Sequence, residues 1–139
     1  MRELSEYITE YVSSGRGGVK RLIDTGNITT LDELVNLLEI LGYSQTDMCE
    51  ISELIKSRED NEYCFKYCFN KKYNSIPMCV FVRVDTPTGV VVYKFELDSS
   101  EKILWDCYKM TLGSSGKGYK QEHVSIKLAL KVIYAYGEH

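Results

Sequence analysis

The sequence MCVFVRVDTPTGVVVYKFEL, residues 78–97, decides the fold of this 139-residue chain. Apolar side chains recur at alternate positions on both sides of its centre, which is the period of a β-strand. Between them lies Thr-Pro-Thr-Gly, in which Pro87 fixes φ for a turn and Gly89 allows the chain to bend back. The stretch therefore predicts a β-hairpin, with a further strand at 62–69 beside it.

Residues 103–112 follow this hairpin, and their pattern fits two structures. Asp98 and Glu101 resemble the start of a helix, whereas apolar side chains on both faces of 103–112 are typical of a doubly buried strand. We favour the strand. The distal part of the chain is then predicted to hold three or four antiparallel strands.

Helical spacing dominates the first 58 residues. Thr30 and Glu33 form a capping box, Gly42 suits a helix end, and Ser44 with Asp47 offers another N-cap. The helix after Thr30 places four leucines on one face: Leu34, Leu37, Leu38 and Leu41. These features predict several short helices in this part of the chain.

A helix is expected at 121–136, because two adjacent apolar stripes cover most of its surface. The predicted fold class is therefore α+β: a helical N-terminal section, 1–58, followed by an antiparallel sheet of three or four strands backed by a C-terminal helix, 61–139. The two sections can form one compact domain.

Composition places the chain among ordinary globular proteins, with 44% hydrophobic and 27% charged residues. No apolar run approaches the roughly twenty residues of a membrane span. Acidic residues in 1–6 replace the basic start of a secretory signal. We therefore expect a cytoplasmic protein without membrane association.

The five cysteines are expected to be reduced thiols, since an odd number cannot pair fully within one chain. Cys64 and Cys68 have a spacing that could share a metal on a helix. On the strand predicted here, however, they lie about 13 Å apart, too far for one zinc ion. No metal or cofactor is expected.

A basic edge is predicted along the C-terminal helix and the loop before it. Its members are Lys117, Lys120, His123, Lys127 and Lys131. Spacings of three and four residues align side chains along a helix, and such an edge could bind an anion or nucleic acid. A buried helix also needs a solvated side, which accounts for the same residues without any ligand.

A second candidate surface is the aromatic and basic segment 63–73, which carries Lys66, Lys71, Lys72, Tyr67 and Tyr73. Tyrosines beside lysines can stack on unpaired bases, and they are equally frequent at protein contacts.

Catalytic residues are hard to find in this sequence. His123 could pair with Cys107 or Cys79, but a buried strand thiol is inert. The acidic pairs Asp24 with Asp32, and Asp85 with Asp98, could hold magnesium, yet turns and helix caps explain them equally well.

These observations favour a non-enzymatic protein that docks a protein partner. The charge supports an interaction face: residues 1–60 carry six basic and twelve acidic side chains, against eleven and eight in 61–139. A nucleic-acid binder using the two basic surfaces is the alternative. A small metal-dependent or thiol enzyme ranks third, and the oligomeric state is left open.

Overall fold

A computed structural model of the chain describes residues 28–47, 51–56, 65–69, 79–87, 89–98, 103–112 and 119–137. The described helices are α1 (Leu31–Ile40), α2 (Ile51–Lys56) and α3 (Ile126–Tyr136). The described strands are β1 (Ser44–Gln45), β2 (Lys66–Phe69), β3 (Cys79–Thr86), β4 (Gly89–Leu97), β5 (Leu104–Leu112) and β6 (Tyr119–Val124).

The strands form one mixed sheet in the order β1-β2-β3-β4-β5-β6. β1 runs parallel to β2, and every later neighbour is antiparallel. The parallel pair is possible because the chain between β1 and β2 includes α2 and is long enough for a crossover connection.

The predicted hairpin is confirmed. β3 and β4 pair from Cys79 opposite Glu96 to Thr86 opposite Gly89, and Gly89 has φ +135°, a value that side chains rarely allow. The preference for a strand at 103–112 is confirmed as β5, which pairs with both β4 and β6.

One face of the sheet packs against α1 and α3. Its core joins apolar side chains from both ends of the described chain, among them Leu34, Leu38, Val82, Phe95 and Ile133. Tyr43, which follows α1, links this region to α3, since its hydroxyl donates a 2.8 Å hydrogen bond to the carbonyl of Ile133 on α3. Burial raises the pKa of this phenol far above its usual range, so it stays protonated.

The opposite face packs against α2. Leu54 and Ile55 cover a smaller core that includes Phe81, Val92 and Met110. A buried ion pair lies beside this core. Arg83 donates to Asp85 at 3.1 Å and to the carbonyl of Leu54 at 3.2 Å, which ties α2 to the sheet.

The capping box is confirmed at the start of α1. Thr30 Oγ1 accepts the amide of Glu33 at 3.2 Å and donates to its carboxylate at 2.9 Å. Gly42, with φ 89°, ends this helix region as expected, and Leu34, Leu37, Leu38 and Leu41 are buried.

The predicted fold class is wrong in two respects. The described N-terminal section is not a helical unit, because Thr30 bridges to Ile103 and Ser44 lies in β1 rather than capping a helix. The sheet has six strands within the described residues and is mixed, instead of three or four antiparallel strands. The two-residue β1 is too short to produce any periodicity. Residues 1–27 of the predicted helical section lie outside the described residues.

The C-terminal helix begins later than predicted. Ser125 is its N-cap, accepting the amide of Leu128 at 3.1 Å, so α3 starts at Ile126 and residues 121–124 belong to β6. Residues 119–123 are exposed on both faces of the sheet, and a strand of this kind lacks the apolar alternation that marks buried strands.

The structure tests two further predictions only in part, namely those on membrane spans and on reduced cysteines. In the described ranges, no helix has the length and apolar character of a membrane span. Cys68, Cys79 and Cys107 are buried free thiols, whereas Cys49 and Cys64 lie outside the described residues. The division of the chain at residue 58 stays a prediction, and the larger core contains residues from both sides of it.

Candidate functional site

A β-bulge places an exposed tryptophan on β5. Glu96 pairs with Asp106 and Leu97 pairs with Leu104, so Trp105 is the additional residue that has no counterpart on β4. Trp105 is 72% exposed, more than any other large hydrophobic side chain of the described residues. It is the one tryptophan of the sequence.

Next to Trp105 lies a polar group that we call the Asp106 cluster: Asp106, Tyr108 and His123. His123 Nε2 contacts Asp106 Oδ1, and the Tyr108 hydroxyl donates to Asp106 Oδ2 at 3.2 Å. The amide of Cys107 also donates to Asp106 Oδ1, at 2.9 Å. The rings of Tyr108 and His123 meet edge to face with centroids 5.4 Å apart.

Strand register explains why these three residues meet. Asp106 and Tyr108 are two positions apart on β5 and therefore share a face, and Tyr108 lies directly opposite His123 on β6. Their contacts make Asp106 an acceptor of three donors. The arrangement fixes the imidazole at the border of the sheet while its side chain remains 64% exposed.

The hydrogen bonds also decide the protonation of the cluster. Burial acts to raise the pKa of Asp106, but the Cys107 amide, His123 and Tyr108 outweigh it, so this pKa lies below its ordinary value. The hydrogen bond to Asp106 and its negative charge raise the pKa of Tyr108. The cluster therefore presents a carboxylate and a protonated phenol at neutral pH.

Charged groups continue across the same face. Lys94 is opposite Tyr108 and Glu96 is opposite Asp106, and Lys94 Nζ lies 3.4 Å from Glu96 Oε1. Both side chains are about a third exposed or less, at 26% and 35%. The face that carries the Asp106 cluster therefore bears charged groups of both signs next to the bulge, and we call Asp106, Lys94 and Glu96 the rim.

β6 forms the border of the sheet within the described residues, since β5 is its partner on one side. Lys120 and Glu122 share the opposite face from His123 and form an exposed ion pair of 2.9 Å. The hydrogen bond from Lys120 lowers the pKa of Glu122. On this face of β6 the charges of Lys120 and Glu122 therefore balance each other.

The predicted basic edge of the C-terminal helix does not exist as one row. Lys120 and His123 lie on β6, on opposite faces of the sheet, whereas Lys127 and Lys131 lie on α3, which begins at Ile126. Lys127 and Lys131 are exposed, and Lys117 lies outside the described residues. The structure therefore does not bring these basic groups together.

The predicted aromatic and basic surface at 63–73 also changes. Tyr67 is 1% exposed, donates from its hydroxyl to Glu39 at 3.1 Å and packs in the core. Burial, followed by Glu39, raises its pKa to about 12. Lys66 is also buried. Lys71, Lys72 and Tyr73 lie outside the described residues. Tyr67 and Cys68 point to opposite faces of the sheet, and both side chains are buried because helices cover both faces.

The catalytic pairings considered from the sequence are not formed among the described residues. Cys107 is opposite Val124 and packs in the larger core, so it faces away from His123, and burial raises its pKa to about 12. Asp85, considered with Asp98 as a magnesium ligand, forms an ion pair with Arg83. No three His, Cys, Asp or Glu side chains cluster as a metal would require within the described ranges. Asp24 lies outside them.

Sequence reasoning missed Trp105, Asp106 and Tyr108. Once 103–112 is interpreted as a strand, the spacing of Asp106 and Tyr108 does place them on one face, and this signal was available. The contact with His123 depends on the register between β5 and β6, which no local pattern specifies.

Comparisons of the chain with known protein families, with curated proteins and with solved structures gave no match.

Proposed function

We propose that this protein is a non-enzymatic interaction protein and that it docks a protein partner at the border formed by β5 and β6. The observation that carries the proposal is the 72% exposure of Trp105 beside a rim of charged groups. Tryptophan is enriched among the residues that dominate protein interfaces, because burying an indole removes a large apolar area from water.

The rim supports the same function. Asp106, Lys94 and Glu96 are held by hydrogen bonds or ion pairs close to the bulge, so their positions are set before a partner arrives. Interfaces commonly combine an aromatic anchor with a polar, partly solvated rim. Fixed charges of both signs add specificity more than affinity.

Nucleic-acid binding has less support. Such binding requires lysines and arginines placed together to neutralise neighbouring phosphates. Among the described residues of the two predicted basic surfaces, Lys66 is buried and Lys120 is paired with Glu122, while Lys127 lies on a different element. Asp106 and Glu96, which pair next to the bulge, carry negative charges that would repel phosphates.

A cytoplasmic location is part of the proposal. It is supported by the buried free thiols Cys68, Cys79 and Cys107, because the reducing cytosol keeps cysteines as thiols and disulfides are rare there.

Affinity capture from lysate of the source cells tests the proposal, with bound proteins identified by mass spectrometry. We compare the natural chain with Trp105→Ala and with the control Ile40→Ala, which shortens another exposed apolar side chain, on α1. The proposal expects a protein partner that is retained by the control, resists nuclease and is lost at least about tenfold with Trp105→Ala.

Two outcomes would contradict it. One is capture that disappears after nuclease treatment, which would favour nucleic-acid binding instead. The other is a partner that binds equally well to the natural chain and to Trp105→Ala.

A further inference from the structure

The sequence of β6 is complementary to itself. The strand Tyr119–Val124 reads YKQEHV, with Lys120 and Glu122 placed symmetrically about Gln121. When two copies of such a strand run antiparallel with Gln121 opposite Gln121, Lys120 of each copy faces Glu122 of the other, so the exposed ion pair that these two side chains form within each copy extends into a group of four alternating charges. Opposite charges directly across from each other stabilise a strand pair.

The neighbouring registers are unfavourable. A shift by one residue would turn one copy over, so that the face covered by α1 and α3 in one copy would continue the face covered by α2 in the other, and no twofold axis would relate the two copies. A shift by two residues in either direction sets Lys120 against Lys120 or Glu122 against Glu122. Like charges directly opposite destabilise the pair. The centred register is therefore the favoured one, and it also sets Tyr119 opposite His123.

The strand is available for this pairing. All five side chains from Tyr119 to His123 are exposed, and within the described part of the chain the strand order ends at β6. At such a border, alternate backbone N–H and C=O groups point away from the sheet. β6 contains neither proline nor glycine, and its pairing with β5 shows no bulge.

We infer that β6 binds the β6 strand of a second copy of the chain, which joins two sheets into one by a twofold axis at Gln121. This inference goes beyond the docking proposed above: Gln121 is opposite Met110 on β5, five residues along that strand from Trp105, so the two contacts are separate. A twofold axis uses the same surface on both copies, which is what a self-complementary strand provides. A strand from a different protein would not need the symmetric placement of Lys120 and Glu122.

Charge reversal provides the test, with the full chain measured by sedimentation across concentrations up to about 1 mM, since a short strand interface is weak. We expect the natural chain to reach twice its 16.0 kDa mass. Lys120→Glu alone and Glu122→Lys alone each create like-charge contacts and are expected to weaken association about tenfold or more.

Two controls separate pairing from loss of folding. The double variant Lys120→Glu/Glu122→Lys restores opposite charges and should dimerise like the natural chain. An equal mixture of the two single variants should form a mixed dimer, because the acidic strand of one then faces the basic strand of the other. In addition, Gln121→Cys should form a disulfide between copies under mild oxidation, whereas Lys127→Cys on α3 should not.

The inference is overturned if the natural chain stays at its monomer mass throughout, if the single variants dimerise unchanged, or if neither the double variant nor the mixture recovers the dimer. A monomeric chain that still captures a Trp105-dependent protein would leave the docking proposal intact. A β6-dependent dimer in which Trp105→Ala captures every protein that the natural chain captures would instead reject docking at Trp105.

Discussion

Trp105 lies at a bulge, and the bulge explains how a tryptophan comes to be exposed near the start of β5. The residues on either side, Leu104 and Asp106, keep their register with β4, so the additional residue is the one displaced from the ladder. Because its indole is mostly in water, its removal withdraws little buried area.

We therefore predict that Trp105→Ala changes the free energy of unfolding by no more than about 0.5 kcal/mol. Urea unfolding followed by circular dichroism measures this. Before mutation, the fluorescence of this single tryptophan should be readily quenched by acrylamide. Weak quenching or a loss of several kcal/mol would mean that Trp105 is part of the core.

Asp106 gives a prediction that depends on pH. Its pKa is lowered in the folded chain, so its contacts contribute stability that is fully present above the pKa of the unfolded chain. That contribution disappears as pH falls through the lower, folded value. Thermal unfolding of the natural chain should therefore lose a component below about pH 4 that Asp106→Asn lacks.

The matched control for this measurement is Asp32→Asn, an exposed carboxylate in the first turn of α1. If the natural chain and Asp106→Asn show the same dependence on pH, the hydrogen bonds around Asp106 do not hold its charge.

At the scale of elements, the N-cap of α1 is the most local feature of the fold. Thr30→Ala removes the acceptor for the Glu33 amide and should lower the free energy of unfolding by about 1 kcal/mol. The control is Thr29→Ala, whose hydroxyl makes a longer, exposed bond of 3.3 Å to the same Glu33. Equal losses in the two variants, measured by urea unfolding, would argue against the cap.

The elements that could be predicted from the sequence are those whose signal is local. The β3–β4 hairpin has both its turn and its alternation within residues 78–97, and α1 has its cap at Thr30 and its stop at Gly42. β6 has no such local signal, because a strand exposed on both faces lacks apolar alternation. The helical spacing of the apolar residues that follow also includes Val124, so the predicted helix began before its true cap at Ser125.

The site was predicted less well for a related reason. His123 was selected, but as part of a helix edge, and its true neighbours lie on β5. Contacts across strands depend on register, which pairs residues distant in the chain. Tyr67 and Lys66 were expected at the surface, but both are buried. Their burial depends on the helices that cover the sheet, and the sequence of segment 63–73 contains no pattern that indicates those helices.

For the whole molecule, the ion pair of Arg83 and Asp85 joins the layers. The guanidinium contacts both the sheet and the carbonyl of Leu54 on α2, and it is 3% exposed. Arg83→Met leaves a buried carboxylate without this partner and a carbonyl without its donor. We predict a loss of about 3–5 kcal/mol in the free energy of unfolding.

The control is Lys94→Met, which breaks the exposed pair with Glu96 and should change stability by less than about 1 kcal/mol. Urea unfolding compares the two. Similar losses would show that the Arg83 pair is no more important to the fold than a surface contact.

The central claim is that the border of β5 and β6 binds protein at Trp105, and crosslinking from beside Trp105 tests this most directly. With Trp105 kept, a photoreactive benzophenone side chain replaces Ile103, which is 39% exposed, in one variant and Glu53, exposed on α2, in another. After irradiation in the source cells, position 103 should give discrete adducts that protease removes and nuclease does not, while position 53 should give none of them. Absence of adducts from position 103, or adducts that nuclease removes, would contradict the claim.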